Sequence, residues 1–553
     1  MKRTLIIVCT FLALAAIVGC GCASEQTLNH EQALDKLNAY VSDGVTGTVV
    51  EHQADPSWVG ESGSTNELPP IGKYPLSVVG HGQINVELFS STEKSDATTN
   101  NWMEVQAKKF NAQNLSVDGK TVSVSVRPIA SGLALEYITK RAYVPEAYTP
   151  ANELWGEMIK SAGVPIETIA NRLTGNTAGI LMNKAAYDKY TKKYGAVTID
   201  GVVKAVLAKD LVLGHTDPNV SSTGLNIFTQ ELRAFDPSNP FSSQSLADFR
   251  QFQNLIPPAA PTTKEMAKVA AKGIMDAMIM ESQAYKAQPT LSDWVFTPCG
   301  VRHDSPVYAL DNLSAEKKEV LKQFVALCQT PEAQKSASSF GFNQHNDYKG
   351  VPNKYSGTEL FTALKVWKEN KDGGRPVISV FIVDRSGSME GAKLNRVKTA
   401  LKNSLQYINE ENYVGLVSYS SEDDISIDLP IAGFTPKQQS LFAGAVNDFA
   451  AGGNTATNSA LVVALDMVVK AQAKVPNAKI RVLILSDGEQ NAGLSLDDVT
   501  GLVNGIAIPV CGIGFEANLT DLQTLADINE SYCINADSED VVYKLRNLFT
   551  AEL

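Results

Sequence analysis

The sequence predicts an α/β protein with two folded units, the second of which is a doubly wound parallel sheet. From residue 376 to the C-terminus, short apolar runs alternate with helical patterns, which indicates strands with helices packed on both faces of the sheet. The chain has 553 residues and is 44% hydrophobic, so it is too long for a single core. Another folded unit is therefore expected over residues 78–350.

The N-terminus has the pattern of an export signal. Met1–Arg3 is cationic, and the apolar run from Leu5 to Val18 is too short for a comfortable membrane span. The segment Ile17-Val18-Gly19-Cys20 resembles the bacterial lipobox, whose cysteine is lipidated and becomes the new N-terminus after cleavage. The resemblance implies a signal peptide over residues 1–19, lipidation of Cys20, and an anchor outside the cytoplasmic membrane, at the cell surface or in the periplasm. A plain signal peptide with an unrelated cysteine is the alternative.

Residues 20–77 are polar and contain Ser, Gly and Pro clusters such as Glu61–Ser64. This composition predicts a tether that lifts the folded units from the membrane, with one helix at residues 31–40. The chain has a formal net charge of −12, which argues against nucleic acid as a partner.

Four cysteines suggest two disulfides in an exported protein. Cys511 and Cys533 lie on consecutive predicted strands, and Cys299 and Cys328 flank one predicted helix. Free buried thiols are an equally weighted alternative.

Small hydroxyl residues follow predicted strands in the first unit, just before helical patterns begin. Such a position suits oxyanion binding, because free amide groups and the helix dipole point toward the ligand. The alternative for each residue is a helix N-cap, a common role of Ser and Thr. The candidate ligand-binding residues are Ser90, Ser91, Ser131 and Thr223.

The first unit resembles the type II periplasmic solute-binding proteins over about residues 78–350. The resemblance rests on the turn Asp217-Pro218 to Ser221-Ser222-Thr223-Gly224, and on a late helix at 315–327 followed by Pro331–Gln334 and Gly341-Phe342. It implies a two-lobed periplasmic-binding-protein-like fold that closes by a hinge around a small anionic or polar solute. A degenerate cleft, retained for protein contacts, is the alternative.

In the second unit, carboxylates and hydroxyls follow the ends of two predicted strands. The strand 377–383 runs into Asp384-Arg385-Ser386-Gly387-Ser388, and the strand 479–485 runs into Ser486-Asp487-Gly488. A loop at 451–457 opens a helix and offers Thr455 or Thr457. Ligands of open parallel sheets bind beyond the carboxyl ends of the strands, where these loops meet. Oxygen ligands of this kind suit Mg²⁺ or another hard cation such as Mn²⁺ or Ca²⁺.

These segments resemble the metal-ion-dependent adhesion site of von Willebrand factor A domains, over about residues 376–553. The resemblance implies that Ser386, Ser388 and Thr455 contact the metal, that Asp384 and Asp487 act largely through water, and that a carboxylate of a protein partner completes the coordination. Many members have Gly-Gly-Thr where this chain has Gly453-Asn454-Thr455. The family spacing back from Leu461 selects Thr455, while Thr457 stays open.

No catalytic motif accompanies these sites, so we expect a binding protein that is not an enzyme. His303, Asp304 and Ser305 are adjacent, and neighbours on an extended strand point to opposite faces, so they cannot form a triad with one another. The sequence has no H-E-x-x-H, C-x-x-C or Walker motif. Residues 351–375 are predicted to link the two units and to contain a helix. The alternative function is that of a solute receptor for a transport system, in which the second unit recruits a membrane partner.

Overall fold

The computed structural model describes residues 28–55, 67–95 and 101–553, apart from residues 258, 260–265, 268, 269, 271, 272, 274, 489, 530 and 532. The predicted signal peptide and Cys20 lie outside the described residues. Among the helices in these ranges, none is long and apolar enough to span a bilayer.

Strands and helices alternate along most of the chain. The strands are β1 (Thr48–Val49), β2 (Ile84–Ser90), β3 (Ser116–Val117), β4 (Lys120–Pro128), β5 (Ala147–Thr149), β6 (Ile166–Ala170), β7 (Thr177–Met182), β8 (Leu213–Gly214), β9 (Ala277–Glu281), β10 (Val295–Arg302), β11 (Val307–Leu310), β12 (Val377–Asp384), β13 (Tyr413–Tyr419), β14 (Ile425–Gly433), β15 (Lys479–Ser486), β16 (Val510–Phe515) and β17 (Cys533–Ala536). The helices are α1 (His30–Ser42), α2 (Trp102–Ala112), α3 (Ser131–Thr139), α4 (Leu154–Ser161), α5 (Lys184–Tyr194), α6 (Ile199–Leu207), α7 (Ser222–Phe235), α8 (Ser243–Gln253), α9 (Ser282–Lys286), α10 (Ala315–Cys328), α11 (Pro331–Ser339), α12 (Gly357–Asn370), α13 (Ala392–Ser404), α14 (Pro436–Asp448), α15 (Thr457–Gln472), α16 (Leu496–Ile506), α17 (Thr520–Ile528) and α18 (Val541–Glu552). Short 3₁₀ turns occur at Ile71–Lys73, Pro289–Leu291, Gly387–Met389 and Leu405–Tyr407.

The first unit consists of two lobes, each built on its own sheet. One lobe has a six-stranded sheet in the order β3-β4-β2-β5-β11-β6, and the other has a four-stranded sheet in the order β10-β7-β9-β8. Two passages of the chain between the lobes lie side by side: Leu173 N–H donates to Asp304 O at 3.0 Å and His303 N–H donates to Asn176 O at 3.1 Å. The predicted two-lobed α/β fold is confirmed.

The second unit is a seven-stranded sheet in the order β1-β14-β13-β12-β15-β16-β17. β12 lies at its centre and is buried along its whole length, because both faces carry helices. Phe381 and Val383 pack with α13, α14 and α18 on one face, whereas Val380 and Ile382 pack with α1, α15, α16 and α17 on the other. The predicted doubly wound sheet is confirmed.

Residues 28–55 fold against the second unit, although the sequence predicts a tether there. A capping box between Asn29 and Gln32 starts α1, whose Ala33 and Leu37 are buried in the same core as α16. β1 then adds a parallel edge strand to β14, pairing Thr48 with Ser426. The first unit is therefore inserted between two parts of the second. The polar composition concealed this, because only two side chains of α1 are buried.

This N-terminal helix gives a stability prediction. We expect Leu37→Ala to lower the free energy of unfolding by roughly 2–4 kcal/mol, because it leaves a cavity in a buried core. Urea denaturation followed by circular dichroism measures the change. Asn38→Ala is the control, since Asn38 is exposed on the same helix and its replacement should be nearly neutral. Equal stabilities of the two variants would contradict the packing of α1 on the sheet.

The two units also contact each other through polar side chains. Arg546 on α18 donates to Glu67 at 3.4 Å and to Glu136 of α3 at 2.6 Å. Glu67 also accepts from Tyr407 OH at 2.9 Å. The linker helix α12, which has its own capping box, packs on α4 and α8 of the first unit. The linker is thus a packed part of the junction.

The cysteines require a correction, because Cys299, Cys328, Cys511 and Cys533 are all free thiols. In the parallel pair β16 and β17 the register places Gly512 opposite Cys533, so Cys511 faces the other side of the sheet. Cys299 lies in the core of the four-stranded lobe and Cys328 in that of the six-stranded lobe. Neither predicted disulfide is present, and the alternative of buried thiols describes the structure.

Candidate metal centre and solute cleft

Asp384 ends β12 and is completely buried. One carboxylate oxygen accepts a hydrogen bond from Ser386 N–H at 2.8 Å, and the other accepts from the Ser486 hydroxyl at 2.6 Å. Burial raises the pKa of Asp384, and the hydrogen bonds from these two serines oppose the shift. The carboxylate is therefore held in one orientation by neutral donors.

A chain of hydrogen bonds links the first loop to the third. The Ser386 and Ser388 hydroxyl oxygens are 3.0 Å apart, and the Ser388 hydroxyl donates to Asp487 Oδ1 at 2.7 Å. Lys393, in the first turn of α13, donates to Asp487 Oδ2 at 2.7 Å. The ends of β12 and β15 thus place two carboxylates and two hydroxyls in one cluster.

The loop at 451–456 docks on this cluster through its backbone. Gly387 N–H donates to Gly453 O at 3.1 Å, and Gly452 N–H donates to Arg385 O at 2.9 Å. Gly453 has a φ of +74°, and a Cβ there would come within 2.8 Å of two serine hydroxyls, so this position requires glycine. This second loop, at residues 451–456, is thereby fixed beside the first.

Of the two threonines left open by the sequence, the geometry favours Thr455. Thr457 begins α15, and its hydroxyl is hydrogen-bonded to Tyr419 OH at 2.8 Å. Thr455 is held by its backbone, because its N–H donates to Asn491 Oδ1 at 2.8 Å and its carbonyl accepts from Asn491 N–H at 3.0 Å. Its side chain takes no part in those bonds.

The residues of the cluster fit a hard divalent cation. The donor atoms are carboxylate and hydroxyl oxygens, which Mg²⁺ prefers together with retained waters. Across the described ranges no group of three or more His, Cys, Asp and Glu side chains is placed to hold a metal, so any site here depends on the hydroxyls as well. The positive charge of Lys393 reaches Asp487, whereas the hydrogen-bond donors to Asp384 are uncharged. A cation at the cluster would offset the cost of burying Asp384.

Two supporting residues were missed by the sequence reasoning. Ser486 was seen as part of the strand end, but its role as a donor to Asp384 depends on the pairing of β12 with β15. Lys393 lies in the helical pattern that the sequence shows at residues 392–407, yet nothing in that periodicity points its side chain toward Asp487.

The predicted solute-binding residues all lie at strand ends or helix starts and are buried. Ser90 ends β2 and accepts a hydrogen bond from the Ser95 hydroxyl at 2.5 Å. Ser131 and Thr223 lie within the first turns of α3 and α7, whose N-caps are Ala130 and Ser221. Neither residue serves as an N-cap. The predicted residues are Ser90, Ser91, Ser131 and Thr223.

A buried lysine accompanies them in the six-stranded lobe. Lys94 donates to Thr149 O at 2.8 Å and to the Ser91 hydroxyl, and Ser91 itself donates to Glu93 at 2.5 Å. Burial lowers the pKa of Lys94, and the negative charges of Glu93 and Glu281 oppose the shift. A charged group thus lies among the hydroxyl residues that the sequence predicts to bind a solute.

Glu281 comes from the end of β9 in the four-stranded lobe. Its carboxylate is bonded to His303 Nδ1 at 2.6 Å, accepts from Asn176 Nδ2 at 2.9 Å and lies 3.4 Å from the Thr223 hydroxyl. His303 is therefore part of a buried polar network. Each lobe thus contributes a buried charged group, and Lys94 and Glu281 are close enough to interact electrostatically, which the hydroxyl pattern did not predict.

Family comparisons agree with this architecture of two α/β units. Residues 95–343 match the model of the bacterial extracellular solute-binding protein family. Residues 380–550 match the model of the von Willebrand factor type A domain. The chain therefore combines an extracellular solute-binding domain with a von Willebrand factor A domain, as the sequence predicts.

Curated relatives include the heavy chains of the inter-alpha-trypsin inhibitor. The heavy chain H3 of Bos taurus is 30% identical over 157 residues, covering 26% of this chain and 17% of the relative. The heavy chain H3 of Homo sapiens is 30% identical over 158 residues, with 26% and 17% covered. The chain thus matches only about a sixth of the length of these relatives.

Solved structures similar to this chain fall in the same two classes. A von Willebrand factor type A protein from Catenulispora acidiphila is 19% identical and has a TM-score of 0.29, with 32% of this chain and 42% of that chain covered. The sulfate-binding protein SubI from Mycobacterium tuberculosis H37Rv is 14% identical with a TM-score of 0.34, covering 48% and 88%. Iron-bound HitA from Pseudomonas aeruginosa is 14% identical with a TM-score of 0.38, covering 53% and 99%.

Proposed function

We propose that this protein is a non-enzymatic, extracytoplasmic lipoprotein that binds a protein partner through a divalent cation. Asp384, Ser386, Ser388, Thr455 and Asp487 would hold the cation, with Mg²⁺ preferred over Mn²⁺ or Ca²⁺. The observation that carries this proposal is the convergence of three loops, in which the Ser388 hydroxyl joins Asp487 to the Asp384 loop at 2.7 Å. The bound cation would attract a carboxylate of the partner.

The residues of the chain prepare this interaction by holding oxygen atoms in place. Ser486 and the Ser386 N–H orient Asp384, and Lys393 orients Asp487. The Ser386 and Ser388 hydroxyls are close enough to share one ligand. The site therefore needs little rearrangement to bind, which lowers the cost of ordering side chains on binding.

The proposal includes an extracytoplasmic location and a lipid anchor at Cys20. The match to an extracellular solute-binding family fits an extracytoplasmic location. The lipobox-like segment before Cys20 supports a lipid anchor. Two acyl chains would make that anchor stable, where one gives marginal binding.

A second candidate function is that of a solute receptor whose von Willebrand factor A domain recruits a membrane partner. The observation that favours it is that Lys94 and Glu281, one from each lobe, interact electrostatically and are each hydrogen-bonded to a predicted ligand-binding hydroxyl. Such groups suit a small anionic or polar solute held between the lobes.

A pull-down from membranes tests the main proposal. Wild-type protein, Asp384→Ala and Asp423→Ala are each used with Mg²⁺ or with EDTA. Asp423 is an exposed aspartate on the β13–β14 loop, so its variant controls for the loss of one acidic side chain. We expect a partner with wild type and Asp423→Ala in Mg²⁺ alone. The same proteins in every sample would contradict the metal bridge, and a permease as the captured partner would favour the receptor function.

A further inference from the structure

The junction between the two units contains a small cavity that neither site above uses. Its volume is about 20 Å³, and its polar lining comprises Gln253, Lys371, Asp372, Lys479 and Arg481. Gln253 ends α8 of the first unit, Lys371 and Asp372 follow α12, and the other two residues lie on β15. We call it the junction cavity. A space of this size accommodates one water molecule or one monatomic ion.

Positive charge exceeds negative charge around the junction cavity. Lys371 and Lys479 share one carboxylate, because their ammonium groups lie 2.7 Å and 3.3 Å from the two oxygens of Asp372. Arg481 is paired with Glu552 at 2.5 Å. Among the described residues, three cations therefore face two carboxylates in these ion pairs, and all five side chains are at least largely buried. The buried carboxylate of Asp217 also acts on Lys371, and Arg375 adds a fourth cation, so a positive surplus remains. A buried charge without a counter-charge is unfavourable.

The pKa of Lys479 reflects both its burial and the neighbouring positive charges. Burial lowers its pKa to about 8, against the opposing effect of Asp372, and Arg481, Lys371 and Arg375 lower it further. Four cationic groups thus act on one another around the shared carboxylate. The local field favours an added negative charge.

An unsatisfied donor lines the same cavity. Gln253 is only 3% exposed, and its side-chain Nε2 has no hydrogen-bond partner within the part of the chain that the structure describes. Buried amide groups are nearly always hydrogen-bonded, so a partner is expected in the cavity. The missing group must be an acceptor. A water would satisfy Gln253 but would leave the surplus charge uncompensated.

We propose that the junction cavity binds a small monatomic anion of the chloride class. The anion accepts a hydrogen bond from Gln253 and neutralises the charge shared by Lys371 and Lys479. Because Gln253 belongs to the first unit and Lys479 to the second, the anion stabilises the contact between the two units. This inference does not depend on the metal centre, which lies at the other end of β15.

Thermal unfolding in two salts tests the proposal. The melting temperature of the full chain is measured in sodium chloride and in sodium gluconate at equal ionic strength, since gluconate is too large for the cavity. We expect the wild-type melting temperature to rise by about 1 °C for each tenfold increase in chloride above its dissociation constant. Lys479→Met and Gln253→Met should each reduce this chloride effect.

The variants separate anion binding from a general loss of stability. Lys479→Met removes a buried repulsive charge, so in gluconate it should be at least as stable as the wild type. Lys474→Met is the matched control, because Lys474 is exposed, and it should retain the full chloride effect. Equal wild-type melting temperatures in the two salts would overturn the proposal. So would a chloride effect that persists unchanged in both cavity variants. Crystals grown in bromide should show an anomalous peak in the junction cavity, and its absence would also overturn the proposal.

Discussion

Asp384→Ala is expected to weaken Mg²⁺ binding by roughly 100-fold. The substitution removes a buried carboxylate that accepts hydrogen bonds from the first loop through Ser386 and from the third through Ser486. It therefore takes away both negative charge and the orientation of neighbouring hydroxyls. Isothermal titration of the purified protein with Mg²⁺ measures the change directly and needs no knowledge of the partner.

Asp423→Ala provides the control for this titration, because Asp423 is exposed on a nearby loop. Its Mg²⁺ affinity should stay within about twofold of wild type, since exposed charges are screened by salt. Circular dichroism confirms that both variants are folded. Unchanged affinity in the Asp384 variant would remove the basis for a metal centre at the end of β12.

Arg546→Met is expected to cost roughly 3–5 kcal/mol of unfolding free energy, because removing one partner of a buried ion pair leaves the other charge uncompensated. Arg546 is 6% exposed, and it contacts Glu67, which is 3% exposed, as well as Glu136. These carboxylates belong to segments outside the C-terminal helix. The variant should therefore loosen the contact between the units, and urea denaturation measures the loss.

Two further variants define the cause of that loss. Arg141→Met removes one side of an exposed ion pair with Asp311, and its cost should be below about 1 kcal/mol. Adding Glu67→Gln to Arg546→Met should restore part of the stability, because a buried unpaired charge is then absent. A double variant no more stable than Arg546→Met would show that the arginine contributes by packing alone.

The loops of the candidate metal centre could be predicted because the oxygen-bearing residues of each loop are close together in the sequence. Strand β12 is apolar except for Ser379 until it reaches Asp384, so its end is visible in the sequence, and Ser386 and Ser388 follow directly. The same holds for β15 and Asp487. Parallel strands in one sheet bring such ends to the same edge, so the proximity of these loops follows from the fold class. Thr455 and Thr457 were harder to separate, because the difference lies in the contact of Thr457 with Tyr419.

Other elements depended on contacts that no local pattern records. The apolar run at residues 506–512 predicts a single strand. In the structure, α16 ends at Ile506 and β16 begins at Val510. Buried residues at a helix end and at the following strand start form one apolar run, so periodicity cannot divide them. The prediction of a disulfide between Cys511 and Cys533 was wrong for a similar reason, because the strand register decides which face of the sheet each cysteine occupies.

Local sequence pattern thus predicted the alternating strands and helices of the second unit and the positions of the candidate oxygen donors at its strand ends, because strand ends, turns and helix starts are coded by neighbouring residues. The two-lobed fold of the first unit followed from its family resemblance. Tertiary structure alone brought α1 and β1 into the second unit, placed Lys94 of one lobe within electrostatic reach of Glu281 of the other, and gathered Gln253, Lys371 and Lys479 around the junction cavity. These groups are far apart in the chain. Their proximity results from packing between elements, which depends on the whole fold.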